Sequence, residues 1–168
     1  MKKYLFVALL AVASIAAYAQ PRAIGANLGG SLGFSYQHGF GEKNMLDVAV
    51  YTPIAVGQGS IWGLSGIVTY DWIDPFNAPV PWNEKGEWHW YMGVGGAGGY
   101  FFGTTLGYVG VAGHIGIEYD FWFPLQLSVD WRPVIGVGLL GSKDGGVVPG
   151  FNTGGLYEGI TIGVRYKF

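Results

Sequence analysis

The amino-acid sequence predicts an all-β fold, an antiparallel up-and-down transmembrane β-barrel of eight strands. Three observations predict it: an unusual composition, apolar residues at every second position, and charges confined to one of the two phases. Of the 168 residues, 12% are charged, 50% are hydrophobic and 31 are glycine. Average proteins carry about 25% charged residues and about 7% glycine. This composition therefore fits a soluble enzyme poorly, and the 17% aromatic content excludes disorder.

The N-terminus predicts export. Lys2 and Lys3 form a positive region, residues 5–17 are apolar apart from Ser14, and the small residues Ala17 and Ala19 precede a cleavage site. The apolar stretch is shorter than the about 20 residues that a helical membrane anchor needs. We therefore predict a signal peptide over residues 1–19 and a mature barrel over residues 20–168.

Seven segments alternate with the period of two that is typical of strands. In chain order the first four apolar phases are Ile24, Ala26, Leu28, Leu32, Phe34 and Tyr36; Leu46, Val48 and Val50; Trp62, Leu64, Val68, Tyr70 and Trp72; and Trp88, Trp90, Met92 and Val94. The last three are Val109, Val111, Ile115, Ile117 and Tyr119; Leu125, Leu127, Val129 and Trp131; and Ile160, Ile162, Val164, Tyr166 and Phe168. Ile67 breaks the pattern of the third segment.

The composition of the other phase indicates which side faces inward. It is mostly glycine, alanine and serine, and it holds the charged residues Glu118, Asp120, Asp130, Arg132, Arg165 and Lys167. Small residues suit the interior of a narrow closed barrel, whereas the outer face of a soluble sandwich is polar and its inner face is a packed apolar core. The large apolar face is therefore predicted to meet lipid, with aromatic girdles near the strand ends.

Single-chain barrels of this kind have an even number of strands. Since seven segments are visible, one of the segments must be divided to give an eighth strand. We predict a division of residues 124–140 at Arg132 and Pro133, since proline cannot donate to a central ladder. The alternative division, at Gly29 and Gly30, would place a long loop on the periplasmic side. With periplasmic termini, the predicted external connections are residues 41–44, 73–87, 120–123 and 141–155. The inner turns are then residues 52–60, 99–105 and 132–133.

Several motifs resemble known outer-membrane proteins. The ending GVRYKF, with aromatics at Tyr166 and Phe168, resembles the C-terminal signal that the bacterial barrel-assembly machinery reads. The runs WYMGVGG from Trp90, IGIEY from Ile115 and FPLQLSVDWRP from Phe123 are similar to a family of small outer-membrane barrel proteins. The architecture more loosely resembles outer-membrane protein X and the membrane domain of outer-membrane protein A. The resemblance implies the bacterial outer membrane, contact with its lipid, assembly through the C-terminal strand, and no catalytic residue.

Charged residues of the inward phase form the main candidate site. We predict a lumen network of Glu118, Asp130, Arg132, Arg165, Lys167, His89 and His114. Paired carboxylates can act as general acid and base, and the two histidines could meet Glu118 or Ser128 in a hydrolase-like set. A salt-bridge network is favoured, because eight strands leave room only for side chains and small gaps and buried charges need partners.

Other signals for chemistry are weak. The G-x-G-x-x-G run from Gly93 to Gly98 is not followed by a helix, so no dinucleotide site or other cofactor is predicted. Lipid A deacylases have a serine two positions from the histidine, but Tyr91 and Gly116 stand there after His89 and His114. No metal-ligand spacing is present, and the net charge of -2 gives no basic face for nucleic acid.

The connection over residues 73–87 is the most distinctive predicted surface. It carries three prolines and the apolar residues Phe76, Val80 and Trp82, which either bind a protein partner or fold onto the barrel rim. We expect a monomeric, non-enzymatic barrel with a structural or surface-interaction role. The alternatives are a lipid-modifying enzyme, of the lipid A deacylase or acyltransferase kind, and a narrow solute pore.

Overall fold

The computed structural model describes residues 20–53, 63–76, 85–102, 106–141, 147–152 and 160–168. Strands account for most of these ranges, and none of these residues belongs to a helix that is long and apolar enough to cross a membrane. Residues 1–19 lie outside the described part of the chain. The signal peptide therefore stays a prediction.

The described residues form ten strand segments. They are β1 (Gln20–Gly29), β2 (Ser31–Gly39), β3 (Asn44–Pro53), β4 (Gly63–Phe76), β5 (Gly86–Phe101), β6 (Leu106–Phe121), β7 (Gln126–Trp131), β8 (Val134–Gly141), β9 (Val147–Asn152) and β10 (Ile160–Lys167). Their alternating β-branched and aromatic residues suit a pleated sheet with two different faces. All pairings between them are antiparallel.

The sheet closes on itself. Each of β1 to β5 pairs with the next segment, and β1 also pairs with β10. Segments β7 and β8 lie along β6 in one continuous register, with Ile115 opposite Trp131 and Ala112 opposite Val134, so they are one interrupted strand. Segments β10 and β9 line its other side. The result is a closed antiparallel barrel of eight strands, which confirms the predicted all-β barrel and its strand number.

The predicted position of the eighth strand is wrong. The chain reverses at Gly30, where Leu28 pairs with Leu32, and not at Arg132 and Pro133. A proline removes one N–H from the ladder, but the Pro133 carbonyl still accepts a hydrogen bond from the Gly113 N–H at 2.8 Å, so pairing with β6 continues through it. The 141–155 connection is also shorter than predicted, because it contains β9.

The extra reversal changes which connections share an end of the barrel. We call the end that holds Gln20 and Phe168 the terminal end, and the opposite one the far end. Phe76 and Gly86, where the 73–87 connection leaves and re-enters the sheet, lie at the terminal end, as do residues 40–43 and 122–125. The prediction placed these connections opposite the termini. That relative placement is wrong, because the reversal at Gly30 adds one pass.

The barrel has a polar interior and an apolar exterior. Outward residues with large apolar side chains are about half exposed, including Phe34, Val111 and Ile162 at 55%, 61% and 54%. The buried polar and charged residues are Asn27, Ser35, Gln37, His38, Asp47, Thr69, Asp71, His114, Glu118, Gln126, Ser128, Asp130, Arg132, Thr161 and Arg165. All of them except His38 lie on the inward phase. The burial therefore runs opposite to that of a soluble core.

An apolar layer lies inside the barrel towards the far end. Its buried residues are Ala49, Tyr51, Ile67, Ala97, Ala112 and Val134, with Tyr108 packed against them. Ile67, which interrupts the sequence alternation, belongs to this layer and lies 7% exposed. On each of its strands the layer is nearer the far end than the inward polar residues of the central part of the lumen.

Aromatic side chains form a belt on the outer surface near the terminal end. One run of ring contacts joins Tyr36, His38, Phe40, Tyr70 and Trp72. A second joins Phe76, Trp88, Tyr119, Phe121, Trp122 and Phe123. Centroid separations in the two runs lie between 4.7 Å and 6.2 Å. Tyr100 and Phe102 form a smaller pair near the far end at 5.7 Å.

Candidate functional site: two charge clusters in the lumen

Asp130 is the acceptor at the centre of the lumen. Its carboxylate accepts hydrogen bonds from Arg132 Nε at 2.7 Å, Thr161 Oγ1 at 2.7 Å, Ser128 Oγ at 3.1 Å and the Tyr91 hydroxyl at 3.2 Å. These donors come from β5, the β7–β8 junction, β7 and β10. A buried carboxylate that receives this many donors can stay charged inside the barrel.

Arg132 connects opposite walls of the barrel. While its Nε contacts Asp130, its Nη1 and Nη2 donate to the two carboxylate oxygens of Asp47 on β3, at 2.7 Å and 3.3 Å. The Asp47 bonds are bidentate, which is the strong geometry for an arginine and a carboxylate. All three side chains are at least 98% buried.

Arg165 is the second central cation, and it secures the closure between β10 and β1. Its guanidinium donates to Ser35 Oγ at 2.8 Å, Asn27 Oδ1 at 3.0 Å and Ser128 Oγ at 2.7 Å. A Cβ added to Gly163 would collide with Ser128 and with this guanidinium. Glycine at 163 therefore makes room for the arginine.

His114 completes the central cluster. Its Nδ1 lies 3.0 Å from Asp71 Oδ1 and 3.2 Å from Thr69 Oγ1, and its Nε2 lies 3.5 Å from Asp130 Oδ1. Three carboxylates, those of Asp47, Asp71 and Asp130, face two guanidinium groups in this cluster. An imidazolium with a carboxylate at each ring nitrogen would supply the third positive charge.

A second cluster, which we call the mouth cluster, lies at the terminal end and consists of Arg22, His89, Glu118, Asp120 and Lys167. Arg22 Nη2 donates to Glu118 Oε1 and lies 3.7 Å from Asp120 Oδ2. Lys167 Nζ lies 3.8 Å from Asp120 Oδ1 and donates to the Phe121 carbonyl at 3.0 Å. Apart from the fully buried Glu118, these side chains are 15–25% exposed.

His89 contacts both carboxylates of the mouth cluster. Its Nδ1 lies 3.9 Å from Glu118 Oε1 and 3.7 Å from Asp120 Oδ2. One ligand atom from each of these three residues lies within 4.8 Å of the others, a separation at which they could hold a metal ion. The buried atoms His89 Nδ1, Glu118 Oε2 and Asp120 Oδ1 have no hydrogen-bond partner among the described residues. The spacing of residues in the sequence did not predict a metal-binding group of His89, Glu118 and Asp120.

The predicted lumen network is thus divided between two clusters. His114, Asp130, Arg132 and Arg165 lie together in the central cluster, whereas His89, Glu118 and Lys167 lie in the mouth cluster. Gln37 links them: it accepts from Arg22 Nη1 at 3.2 Å and donates to Asp47 Oδ2 at 3.3 Å.

The predicted lumen network lacked four members of these clusters. Asp47, Asp71 and Asp120 fall on the inward phase of their segments, so the alternation alone could have included them in the network. Arg22 was not predictable in this way, because its position belongs to the outward phase of β1. A register irregularity between Pro21 and Ala23 interrupts the alternation, and the Arg22 side chain contacts lumen residues.

The structure also places the other sites that the sequence analysis considered, namely Ser128, the glycine run and the 73–87 connection. Ser128 contacts Asp130 and Arg165, and the structure gives no contact between it and a histidine. The run from Gly93 to Gly98 lies inside β5, where a Cβ on Gly93 would collide with Asp71 and one on Gly95 with the Val68 carbonyl. Phe76 packs against Trp88 at 5.9 Å between ring centroids. Val80 and Trp82 lie outside the described residues.

Comparison of the chain with protein-family models, with curated proteins and with solved structures finds no match.

Proposed function

We propose that this chain is a non-enzymatic β-barrel of the bacterial outer membrane, with a closed lumen and a structural or interaction role. The observation that carries the proposal is the inverted burial: large apolar residues cover the outside, while arginine and aspartate side chains are buried inside. Exposing so much apolar surface to water is unfavourable, and soluble monomers rarely expose large contiguous apolar patches. Lipid is the environment that fits this surface.

The height of the apolar surface supports the same proposal. Along β5 the outward residues run from Trp90, near the aromatic belt, to Tyr100, near the far-end aromatic pair. With about 3.4 Å per residue and a strand tilt of about 40°, this stretch spans about 26 Å of the barrel axis. The apolar band of transmembrane barrels is about 25 Å tall.

The contents of the lumen favour a barrier over the alternative of a solute pore. Arg132 connects opposite walls, and the apolar layer around Ile67 packs inside the barrel on the far-end side of it. The same contents disfavour an enzyme that acts on lipid, because His89 and His114 face lumen residues. His38 faces outward, where its Nδ1 lies 2.9 Å from the Tyr36 hydroxyl.

The connection over residues 73–87 remains the proposed protein-binding surface. Since it begins and ends at the terminal end, a partner would meet it on the side of the membrane where the termini lie. If the termini are periplasmic, as predicted, the partner is a periplasmic protein. Pull-down from outer membranes with the full chain, against Trp82→Ala as the matched variant, tests this proposal, and equal recovery of the same proteins would reject it.

The membrane assignment has a direct test. The full chain is refolded into vesicles of lipids brominated at different acyl depths, and tryptophan fluorescence is recorded. We expect strong quenching of a variant that retains only Trp131, whose outward side chain lies inside the apolar band. A chain that is instead a compact monomer in detergent-free buffer, without quenching, would contradict the proposal.

Two further measurements separate the alternatives. In planar bilayers the folded barrel should give no discrete conductance steps, and stable unitary currents would indicate a pore. Lipid A from cells with and without the protein should give the same mass spectrum. A loss or gain of an acyl chain would indicate the enzyme.

A further inference from the structure

We propose that His89, Glu118 and Asp120 form a binding site for one divalent transition-metal ion such as Zn²⁺, accessible from the terminal end of the barrel. The proposal adds to the membrane role and requires only that the barrel folds. An imidazole with two carboxylates is a ligand set that zinc accepts. The three residues come from neighbouring strands, since His89 on β5 pairs directly with Glu118 on β6 and Asp120 is two residues further on.

The distances fit such a site after a small closure. His89 Nδ1 lies 3.9 Å from Glu118 Oε1 and 3.7 Å from Asp120 Oδ2. Ligand atoms bound to zinc at about 2.1 Å in a tetrahedron are about 3.4 Å apart. The three ligand atoms all lie within 4.8 Å of one another. Closure of every pair to about 3.4 Å therefore needs a change of at most about 1.4 Å in any one separation.

The unsatisfied atoms are an independent observation. Glu118 is fully buried, and its Oε2 has no hydrogen-bond partner; the same is true of His89 Nδ1 and Asp120 Oδ1 within the described part of the chain. Leaving a buried polar atom unpaired is costly. A bound cation would satisfy His89 Nδ1 directly. It would also satisfy Glu118 Oε2 and Asp120 Oδ1 where each carboxylate binds the ion through both of its oxygens, since the distances above are to the other two, Glu118 Oε1 and Asp120 Oδ2.

The surroundings of His89 support its role as a ligand. Its other ring nitrogen, Nε2, lies 3.9 Å from Glu87 Oε2, and Glu87 is 80% exposed at the mouth. A carboxylate that closes to hydrogen-bond distance behind a histidine orients the ring and makes it a better metal ligand, and Glu87 would need to approach from 3.9 Å to do so. The 15% exposure of His89 and Asp120 leaves an entry path from solvent.

Arg22 is the main competitor for this site, and Lys167, with its Nζ 3.8 Å from Asp120 Oδ1, is a weaker one. Its guanidinium pairs with Glu118 Oε1 and lies near Asp120 Oδ2, which are the same oxygens that face His89. A metal ion must share these carboxylates with a positive charge, which weakens its binding. Removing the charge of Arg22 should therefore increase metal affinity.

The test is isothermal titration of the folded full chain in detergent micelles with Zn²⁺ at neutral pH. We expect one ion per chain, a loss of affinity of at least about tenfold in His89→Ala, and tighter binding in Arg22→Gln. His38→Ala is the matched control, because His38 is outward and outside both clusters. Its affinity should equal that of the unmodified chain.

Several results would overturn the proposal: no binding of Zn²⁺, binding that His89→Ala leaves unchanged, or binding that follows His38. Folding of each variant is checked first by heat-modifiable migration in gels. Should His89→Ala not fold, Asp120→Asn gives the same test with a smaller change in volume. A chain that folds as a barrel but fails to bind Zn²⁺ rejects the metal site alone, whereas a chain that fails to enter micelles or vesicles rejects the proposed membrane role.

A second readout is stability. Because a ligand that binds only the folded state stabilises it by mass action, Zn²⁺ should raise the unfolding temperature, and more so in Arg22→Gln, where two carboxylates lose their cation. EDTA should reverse the shift. Equal unfolding temperatures of Arg22→Gln with Zn²⁺ and with EDTA would count against the site.

Discussion

Arg132 and Asp47, which are 85 residues apart in the chain, form a bidentate pair across the lumen, with Nη1 of the arginine 2.7 Å from Oδ1 of the aspartate. The pair joins β3 to the point where the strand formed by β7 and β8 is interrupted. It is fully enclosed by the barrel wall, so neither partner can turn to solvent if the other is removed. Each residue also has a further partner, Asp130 for Arg132 and Gln37 for Asp47, so the pair is part of the larger central cluster.

Removing one partner of this pair should destabilise the barrel strongly. Arg132→Met leaves Asp47 and Asp130 buried without their guanidinium, at an expected cost of about 3–5 kcal/mol. Unfolding by urea in the presence of lipid vesicles measures it. A double variant with Asp47→Leu should recover the part of the loss that comes from Asp47, while Asp130 still lacks its guanidinium. Strictly additive losses would contradict a direct coupling of Arg132 and Asp47.

The central cluster depends on Asp130 and Arg165 as well. Asp130→Ala leaves Arg132 with unsatisfied donors, and Arg165→Ala leaves Ser35, Asn27 and Ser128 without a common partner, so each should cost several kcal/mol. The exposed Lys43→Ala is the control and should change the free energy of unfolding by less than about 0.5 kcal/mol. Unchanged midpoints in both central variants would remove the network interpretation.

Glycines inside the wall are required for strand packing. A Cβ at Gly95 would collide with the Val68 carbonyl oxygen of the neighbouring strand, whereas one at Gly66 would meet nothing within 4 Å. Gly95→Ala should therefore destabilise by about 1–3 kcal/mol, with Gly66→Ala close to neutral in the same unfolding assay. A reversed order of the two variants would show that the wall is packed differently.

The apolar exterior predicts that the cost of an outward charged substitution depends on its depth in the bilayer. Ile115 is outward and 46% exposed, near the middle of the apolar band. Ile115→Arg should cost about 2–4 kcal/mol in vesicles, while Tyr100→Arg, close to the far-end boundary, should cost about 0–1 kcal/mol. Equal and small effects of both variants would indicate water, not lipid, around the barrel.

Part of the fold and of the lumen site could be predicted from the sequence, as particular residues show. Alternation alone places Asp130, Arg132 and Arg165 in the lumen, because the side-chain period of a strand is two whatever its neighbours are. It also shows Ile67 as an exception, but the reason, an apolar layer inside the barrel, depends on residues from five strand segments. The register between neighbouring strands decides which inward charges form pairs. That register cannot be derived from the alternation in a single sequence.

Two further features, the reversal at Gly30 and the inward position of Arg22, could not be predicted from the alternation of residues along the chain. The outward phase of β1 continues on both sides of Gly30, so the reversal leaves no change in periodicity, while Pro133 gives a strong local signal for a turn that is absent from the described fold. Arg22 contacts lumen residues because of an irregularity that depends on pairing with β2. The local sequence therefore predicts well which side of a strand a residue faces, but it predicts backbone irregularities poorly.

The apolar layer around Ile67 makes the two mouths of this barrel unequal. Arg22, His89 and Lys167 are partly exposed at the mouth that also holds the chain ends, whereas the inward side chains of the layer are apolar. In the proposed membrane, a barrel inserted in one orientation would therefore present its titratable mouth to the solution on a single side of the bilayer.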